Sequence, residues 1–257
     1  MSLIKSFPSQ ILAPRPLPDS AEQRIYRGMQ RTDLPPKGSL DHIETWVFDL
    51  DNTLYSATSR LFDQISDRIG AYVARHLDIP RDEAARVQKK YFHNYGTTLR
   101  GLMLEHEMDP AEFLAYVHDI DFSPLQPHDR LNDALHRLDG RKIIFTNADT
   151  PYAKRVMAQL GIDHHFEEIY DIVAANYVPK PYQPAYDLFL ERHPFAPDRA
   201  IFFEDIARNL GPASEMGMVT VWVQNAGTWD LPGNETVTPD YETSDLAEWL
   251  HAVLDNR

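Results

Sequence analysis

The chain has 257 residues, 43% of them hydrophobic and 25% charged, which fits an ordinary soluble globular protein of one large or two unequal domains. Its formal net charge of −14 sets it against nucleic-acid backbones and anionic membranes. The absence of cysteine excludes disulfides, thiolate nucleophiles and cysteine-ligated zinc.

Residues 1–40 read as an irregular, proline-rich arm, with a short helix expected around Ala21–Gln30 and either an inert or a dimer-contacting role. The opening MSLIKSFPSQIL lacks the apolar stretch of a secretory signal, and no later run approaches a membrane span. A cytoplasmic location is the default expectation. Residues 43–52 form a first strand, and residues 55–125 carry no strong strand. Helices are expected there over Thr58–Leu77, Arg81–Tyr95, Thr98–Glu107 and Pro110–Ile120, punctuated by Pro80, Gly96 and Pro110. In the first of them Leu61, Ile65, Ile69, Tyr72 and Leu77 recur at helical spacing, a stripe that reads as core.

After Pro127 the pattern alternates between helix and strand. Helix Asp129–Leu138 leads to strand Lys142–Thr146, helix Pro151–Leu160 to strand Glu168–Val173, and helix Pro181–Arg192 to strand Ala200–Glu204. Helix Ala207–Met216 leads to strand Thr220–Val223, and a last helix covers Leu246–Leu254. Alternating units of this kind predict an α/β fold: a doubly wound, Rossmann-like parallel sheet with an inserted α-helical bundle.

Four places on this pattern carry chemistry. The first strand ends in Asp49 and Asp51, spaced so that both face the same way in an extended chain. Paired acids in a crevice repel unless a cation or a shared proton separates them. Strand KIIFT ends in Thr146 and Asn147, whose hydroxyl and amide suit phosphate oxygens but also suit a helix cap. Lys180 stands between Pro179 and Pro181, which keep it out of a helix interior. Strand AIFFE ends in Glu204 and Asp205, with Asn209 one helical turn later.

Taken in order, FDLDNTL, KIIFTNA, the Lys180 loop and FFEDIARNL resemble the four signatures of the haloacid dehalogenase (HAD) superfamily, over roughly residues 43–225. The resemblance implies a core of residues 41–54 and 126–257, and a helical cap of the C1 type over residues 55–125. It implies Asp49 as nucleophile, forming an aspartyl-phosphate, and Asp51 as the acid that protonates the leaving oxygen and then activates water. Mg²⁺ would bind the Asp49 carboxylate, the Asp51 backbone carbonyl and Asp205, with Glu204 and Asn209 around it. Thr146, Asn147 and Lys180 would hold the phosphoryl oxygens. Dehalogenases of the superfamily lack an acid at the position of Asp51, which favours a phosphatase or phosphomutase.

FDLDNTLYSATSRLF, NYGTTLRGL and GIDHHFEEIYD further resemble the pyrimidine 5′-nucleotidase-like subgroup. That implies cap residues facing the substrate: Tyr55 or Tyr95 against a base or sugar, and Arg60, Thr97 and Arg100 against its polar groups. The expected partner is a small phosphorylated metabolite, with no nucleic acid or membrane, and the assembly a monomer or homodimer. A sugar-phosphate phosphatase, a phosphomutase or a non-catalytic phosphate-binding relative would share the same core.

Overall fold

Trp46, Val47 and Phe48 are fully buried, so strand β1 (Thr45–Phe48) is apolar on both faces, as a strand covered by helices on two sides must be. The computed structural model describes residues 34–225 and 233–256, so the arm and its expected helix Ala21–Gln30 lie outside the described residues. The described residues cluster together as one unit.

β1 pairs in parallel with β2 (Arg141–Phe145) on one side and β4 (Ala200–Glu204) on the other, with Phe48 opposite Ile144 and Phe203. β3 (Glu168–Tyr170), β5 (Val219–Val223) and β6 (Tyr241–Thr243) complete a parallel sheet of order β3-β2-β1-β4-β5-β6. Side chains alternate across it. Trp46, Phe48 and Phe203 pack into one core layer, and Val47, Phe145 and Phe202 into the other. The strand order reverses between β1 and β4, and in open α/β sheets ligands bind beyond the carboxyl ends of the strands at that switch.

After β1 come the four helices of the insertion, α1 (Leu61–Leu77), α2 (Arg81–Tyr95), α3 (Thr98–His106) and α4 (Pro110–Val117), and a fifth helix then leads to β2. α1 begins at Leu61 rather than at Thr58, because Ala57–Ser59 forms a 3₁₀ turn and Arg60 takes a left-handed conformation. Thr97 caps α3 by accepting from the Arg100 amide, and Asp109 caps α4, with Pro110 at its first position. The remaining helices are α5 (Asp129–Arg137), α6 (Thr150–Leu160), α7 (Gln183–Arg192), α8 (Ala207–Glu215) and α9 (Leu246–Asp255).

Two strand expectations need correction. β3 stops at Tyr170 rather than Val173, because Asp171 accepts from the Thr150 amide (2.8 Å) and hydroxyl (2.6 Å) and from the Ala174 amide (2.7 Å), which turns the chain away from the sheet. β6 carries no sequence signal of its own. It is three residues long, half-buried and at the sheet edge, where short polar strands guard against further pairing.

The helical insertion docks on the loop that carries Lys180 and on α8. The Tyr182 hydroxyl donates to the Asn94 carbonyl (3.0 Å), Arg100 Nη1 to the Tyr177 carbonyl (3.3 Å) and Arg208 Nη2 to the Phe92 carbonyl (3.4 Å). Gly96 sits at the contact with φ +81. A Cβ there would lie 3.0 Å from Pro179 Cγ, 3.1 Å from the Lys180 carbonyl oxygen and 3.1 Å from Tyr182 Cε2.

Candidate active site

Asp49 leaves the end of β1 still in the ladder, its amide donating to the Phe203 carbonyl at 2.9 Å. Lys180 arrives from the loop after β3, and its side chain is 1% exposed. Its Nζ donates to Asp49 Oδ1 (2.7 Å), Glu204 Oε2 (2.6 Å) and the Phe145 carbonyl (2.7 Å). An ammonium has three N–H groups, and all three are committed. Lys180 therefore neutralises carboxylates in this state, and gripping a phosphoryl oxygen must replace one of these bonds. Burial works against its charge, but Asp49 and Glu204 outweigh burial and hold Lys180 above its ordinary value.

Asp205 follows Glu204 at the end of β4. Carboxylate oxygens of Asp49, Glu204 and Asp205 all lie within 4.8 Å of one another, and all three residues are buried. Burial, then the Glu204 charge, push Asp49 up to about 7 against the pull of Lys180. Burial, then Glu204 and Asp49, push Asp205 well up. Three clustered carboxylates with one ammonium leave excess negative charge in a site with little water, and hard oxygen donors in that excess fit a small divalent cation. The Asp51 carboxylate stands outside this group, while Glu204, expected around the metal, stands within it.

Asp51 is instead held by two phenols. Its Oδ1 accepts from the Tyr55 hydroxyl (2.5 Å) and the Tyr152 hydroxyl (2.6 Å), and the two hydroxyls are 3.4 Å apart. Burial raises Asp51, while the phenolic hydrogen bonds from Tyr152 and Tyr55 oppose that shift. Burial, then the Asp51 charge, raise both phenols well above their ordinary value, so they remain donors. His118, just past α4, stacks on Tyr152 with ring centroids 4.3 Å apart and places Nδ1 3.0 Å from Asp149 Oδ1.

Thr146 and Asn147 line the same cavity. Thr146 Oγ1 accepts from the Ala148 amide (3.0 Å), leaving its own hydrogen to donate. The Asn147 side chain accepts from the Lys180 amide (2.9 Å) and donates to the Lys180 carbonyl (3.4 Å), so its geometry here is that of a clamp on the lysine loop. Asn209 is buried on the cavity wall, and its carbonyl accepts from the Tyr186 hydroxyl.

Of the cap residues singled out by sequence, Thr97 lines the cavity and Tyr55, Arg60, Tyr95 and Arg100 do not. Tyr55 is spent on Asp51. Arg60 points to solvent, paired with Asp63 at 2.8 Å. The Tyr95 hydroxyl bonds to Glu105. Arg100 lies over the Tyr182 ring, 5.0 Å from its centroid. Sequence reasoning missed Tyr152, which reaches Asp51 only through the fold, and His118, which stacks on Tyr152: nothing local marks a tyrosine in the first turns of a helix as the partner of an acid 101 positions earlier.

The cavity between these strand ends and the helical insertion has a volume of about 180 Å³. On the insertion side its wall includes Phe62, Ile65, Leu99, Phe113 and Val117.

Over 230 residues the chain is 26% identical to Phosphate metabolism protein 8 of Saccharomyces cerevisiae, covering 82% of this chain and 71% of that one. It is 23% identical over 221 residues to the Glyceraldehyde 3-phosphate phosphatase of Methanocaldococcus jannaschii, covering 80% and 95% of the two chains. The crystal structure of the magnesium-bound HAD-hydrolase YfnB from Bacillus subtilis superposes with a TM-score of 0.52 at 16% identity, over 82% of this chain and 98% of that one. The family profile described as haloacid dehalogenase-like hydrolase matches residues 43–217, and the chain belongs to that family.

Proposed function

We infer that the protein is a phosphomonoester hydrolase that works through an aspartyl-phosphate on Asp49. The observation that carries this reading is the buried Asp49 paired with Lys180 beside Glu204 and Asp205, with Asp51 two residues away and separately held. Asp49 attacks phosphorus as the ester oxygen departs, and Asp51 delivers its proton to that oxygen. Water then cleaves the aspartyl-phosphate, with Asp51 as base. Asp49, Glu204 and Asp205 would hold Mg²⁺, which supplies positive charge against the phosphoryl oxygens and favours the ionised form of Asp49. A relative named for phosphate metabolism and another named as a phosphatase support the reaction class, and the magnesium-bound neighbour supports the choice of ion.

Residues 55–125 act as the cap and 41–54 with 126–257 as the core in this reading. Pyrimidine nucleoside 5′-monophosphates are the first substrates to try, on the resemblance of NYGTTLRGL and its companion segments. A triose phosphate is the second, on the name of the archaeal relative. The test is phosphate release from UMP, CMP and glyceraldehyde 3-phosphate with Mg²⁺, repeated after chelation and with Asp49→Asn. Release that survives either change, or no release from any ester, overturns the reading.

A further inference from the structure

The cavity has a polar end and an apolar end. Among the described residues, every carboxylate on its wall, Asp49, Asp51, Glu204 and Asp205, lies at the strand ends. Across from them α1 and α4 contribute Phe62, Ile65, Ile69, Phe113, Leu114 and Val117. The polar groups of the insertion largely spend their bonds on one another. Gln88 Nε2 donates to the Ser66 carbonyl and hydroxyl, both at 3.2 Å, and the Thr98 hydroxyl donates to the Gln88 carbonyl at 3.2 Å.

Positive charge is scarcer still. Among the described residues, Lys180 is the one lysine or arginine on the wall, and its three donors are taken. His118 also lines the cavity, but Asp149 stands 3.0 Å from its Nδ1 and offsets any charge it carries. Arg100 and Arg208, the guanidiniums of the nearby docking contact, donate to backbone carbonyls and do not line the cavity. A phosphate can be balanced at the strand ends. A second anion on the same molecule would meet apolar or neutral polar side chains or carboxylates, none of which supplies a charge to balance it, and a desolvated charge without a counter-charge is costly.

We propose that this cavity selects phosphate monoesters whose leaving group carries no second anion and presents an apolar or aromatic face. The proposal rests on the phosphomonoesterase reading above and narrows it: a neutral nucleoside or aryl group fits, whereas a phosphorylated hydroxy acid or a bisphosphate does not.

Matched pairs test it on the wild-type, Mg²⁺-loaded protein. Phenylphosphonate and 3-carboxyphenylphosphonate differ by one carboxylate and cannot be hydrolysed, so calorimetry reads recognition without turnover. Phenylphosphonate is expected to bind on the order of tenfold tighter or more. A smaller ratio, or binding of neither, overturns the proposal. The same ratio is expected in kcat/KM for phenyl phosphate against 3-carboxyphenyl phosphate, and for uridine against orotidine 5′-monophosphate. Ile69→Arg, or Phe62→Arg if the first does not fold, should narrow the gap by supplying the missing cation; an unchanged gap in a folded variant counts against the proposal. Turnover without preference sinks this inference alone, and preference in phosphonate binding without turnover of any ester sinks the phosphatase reading alone.

Discussion

Asp51 owes its environment to two phenols, and this separates its role from that of Asp49. On the proposed mechanism, replacing Asp49 by Asn removes the attacking carboxylate with little change of shape, so turnover should fall on the order of 10⁴-fold or more while the fold survives. Asp51→Asn should be selective: in the phosphorylation step, alkyl esters such as UMP lose far more rate than an activated aryl phosphate, whose leaving group needs no proton. Rapid-quench bursts on the two substrates read this, and equal losses would remove Asp51 from the acid role. Tyr152→Phe deletes one donor to Asp51 and should show the same selectivity, smaller and on the order of tenfold. A uniform loss on both substrates would make Tyr152 a packing residue only. The paired acids were legible in the sequence because strand and spacing are local. The phenolic partners of Asp51 were only half legible: Tyr55 stands out near the motif, but the bond it makes does not.

At the scale of elements, periodicity located the helices well. The stripe Leu61, Ile65, Ile69, Tyr72 and Leu77 reads as core and packs in the core, and Ile65 and Ile69 line the cavity as well. A 3.6-residue period reports that a face is shielded from water, whether by other side chains or by a ligand space. The polar residues picked for the substrate, Arg60, Tyr95 and Arg100, turn instead to solvent or to the docking contact. That contact gives an element-level prediction. Gly96→Ala combines a left-handed φ with a Cβ 3.0–3.1 Å from the Lys180 loop, so it should destabilise by about 1–3 kcal/mol and also lower kcat by moving Lys180. Gly161→Ala shares the positive φ, but its Cβ meets nothing within 4 Å. It should cost about 1 kcal/mol and leave kcat alone. Denaturant melts and kinetics on both variants check this, and equal kinetic losses would show that the close approach at Gly96 does not matter.

For the whole molecule, the buried acids and the histidines set how stability responds to solution conditions. A cation bound at Asp49, Glu204 and Asp205 stabilises the folded state alone, by about 2.7 kcal/mol at a hundredfold excess over Kd. Mg²⁺ should therefore raise Tm, and Asp205→Ala should abolish most of the rise; a rise of the same size in the variant would place the ion elsewhere. His165 gives a pH effect of defined sign. Burial, then the neighbouring His164, Lys142 and His136 charges, lower it to about 4 from 6.5. The unfolded chain thus takes up the proton first, and stability present above pH 6.5 is lost as pH falls towards 4. In His165→Gln, Tm should fall less over that window, and parallel curves for the two proteins would exclude this contribution.

The docking of the insertion has a consequence for ionic strength and for mutational drift. Three of its cross-links, those made with the Lys180 loop and α8, end on the main-chain oxygens of Phe92, Asn94 and Tyr177 and are not ion pairs. A main-chain acceptor does not titrate and is supplied by any residue type, and a short charge–dipole contact is screened by salt far less than separated surface charges are. The donors Arg100, Tyr182 and Arg208 are therefore the constrained side of these three bonds, at low salt or high, and positions 94 and 177 can exchange side chains and keep them, whereas Phe92 also carries the Arg208 guanidinium over its ring, 4.9 Å from the centroid.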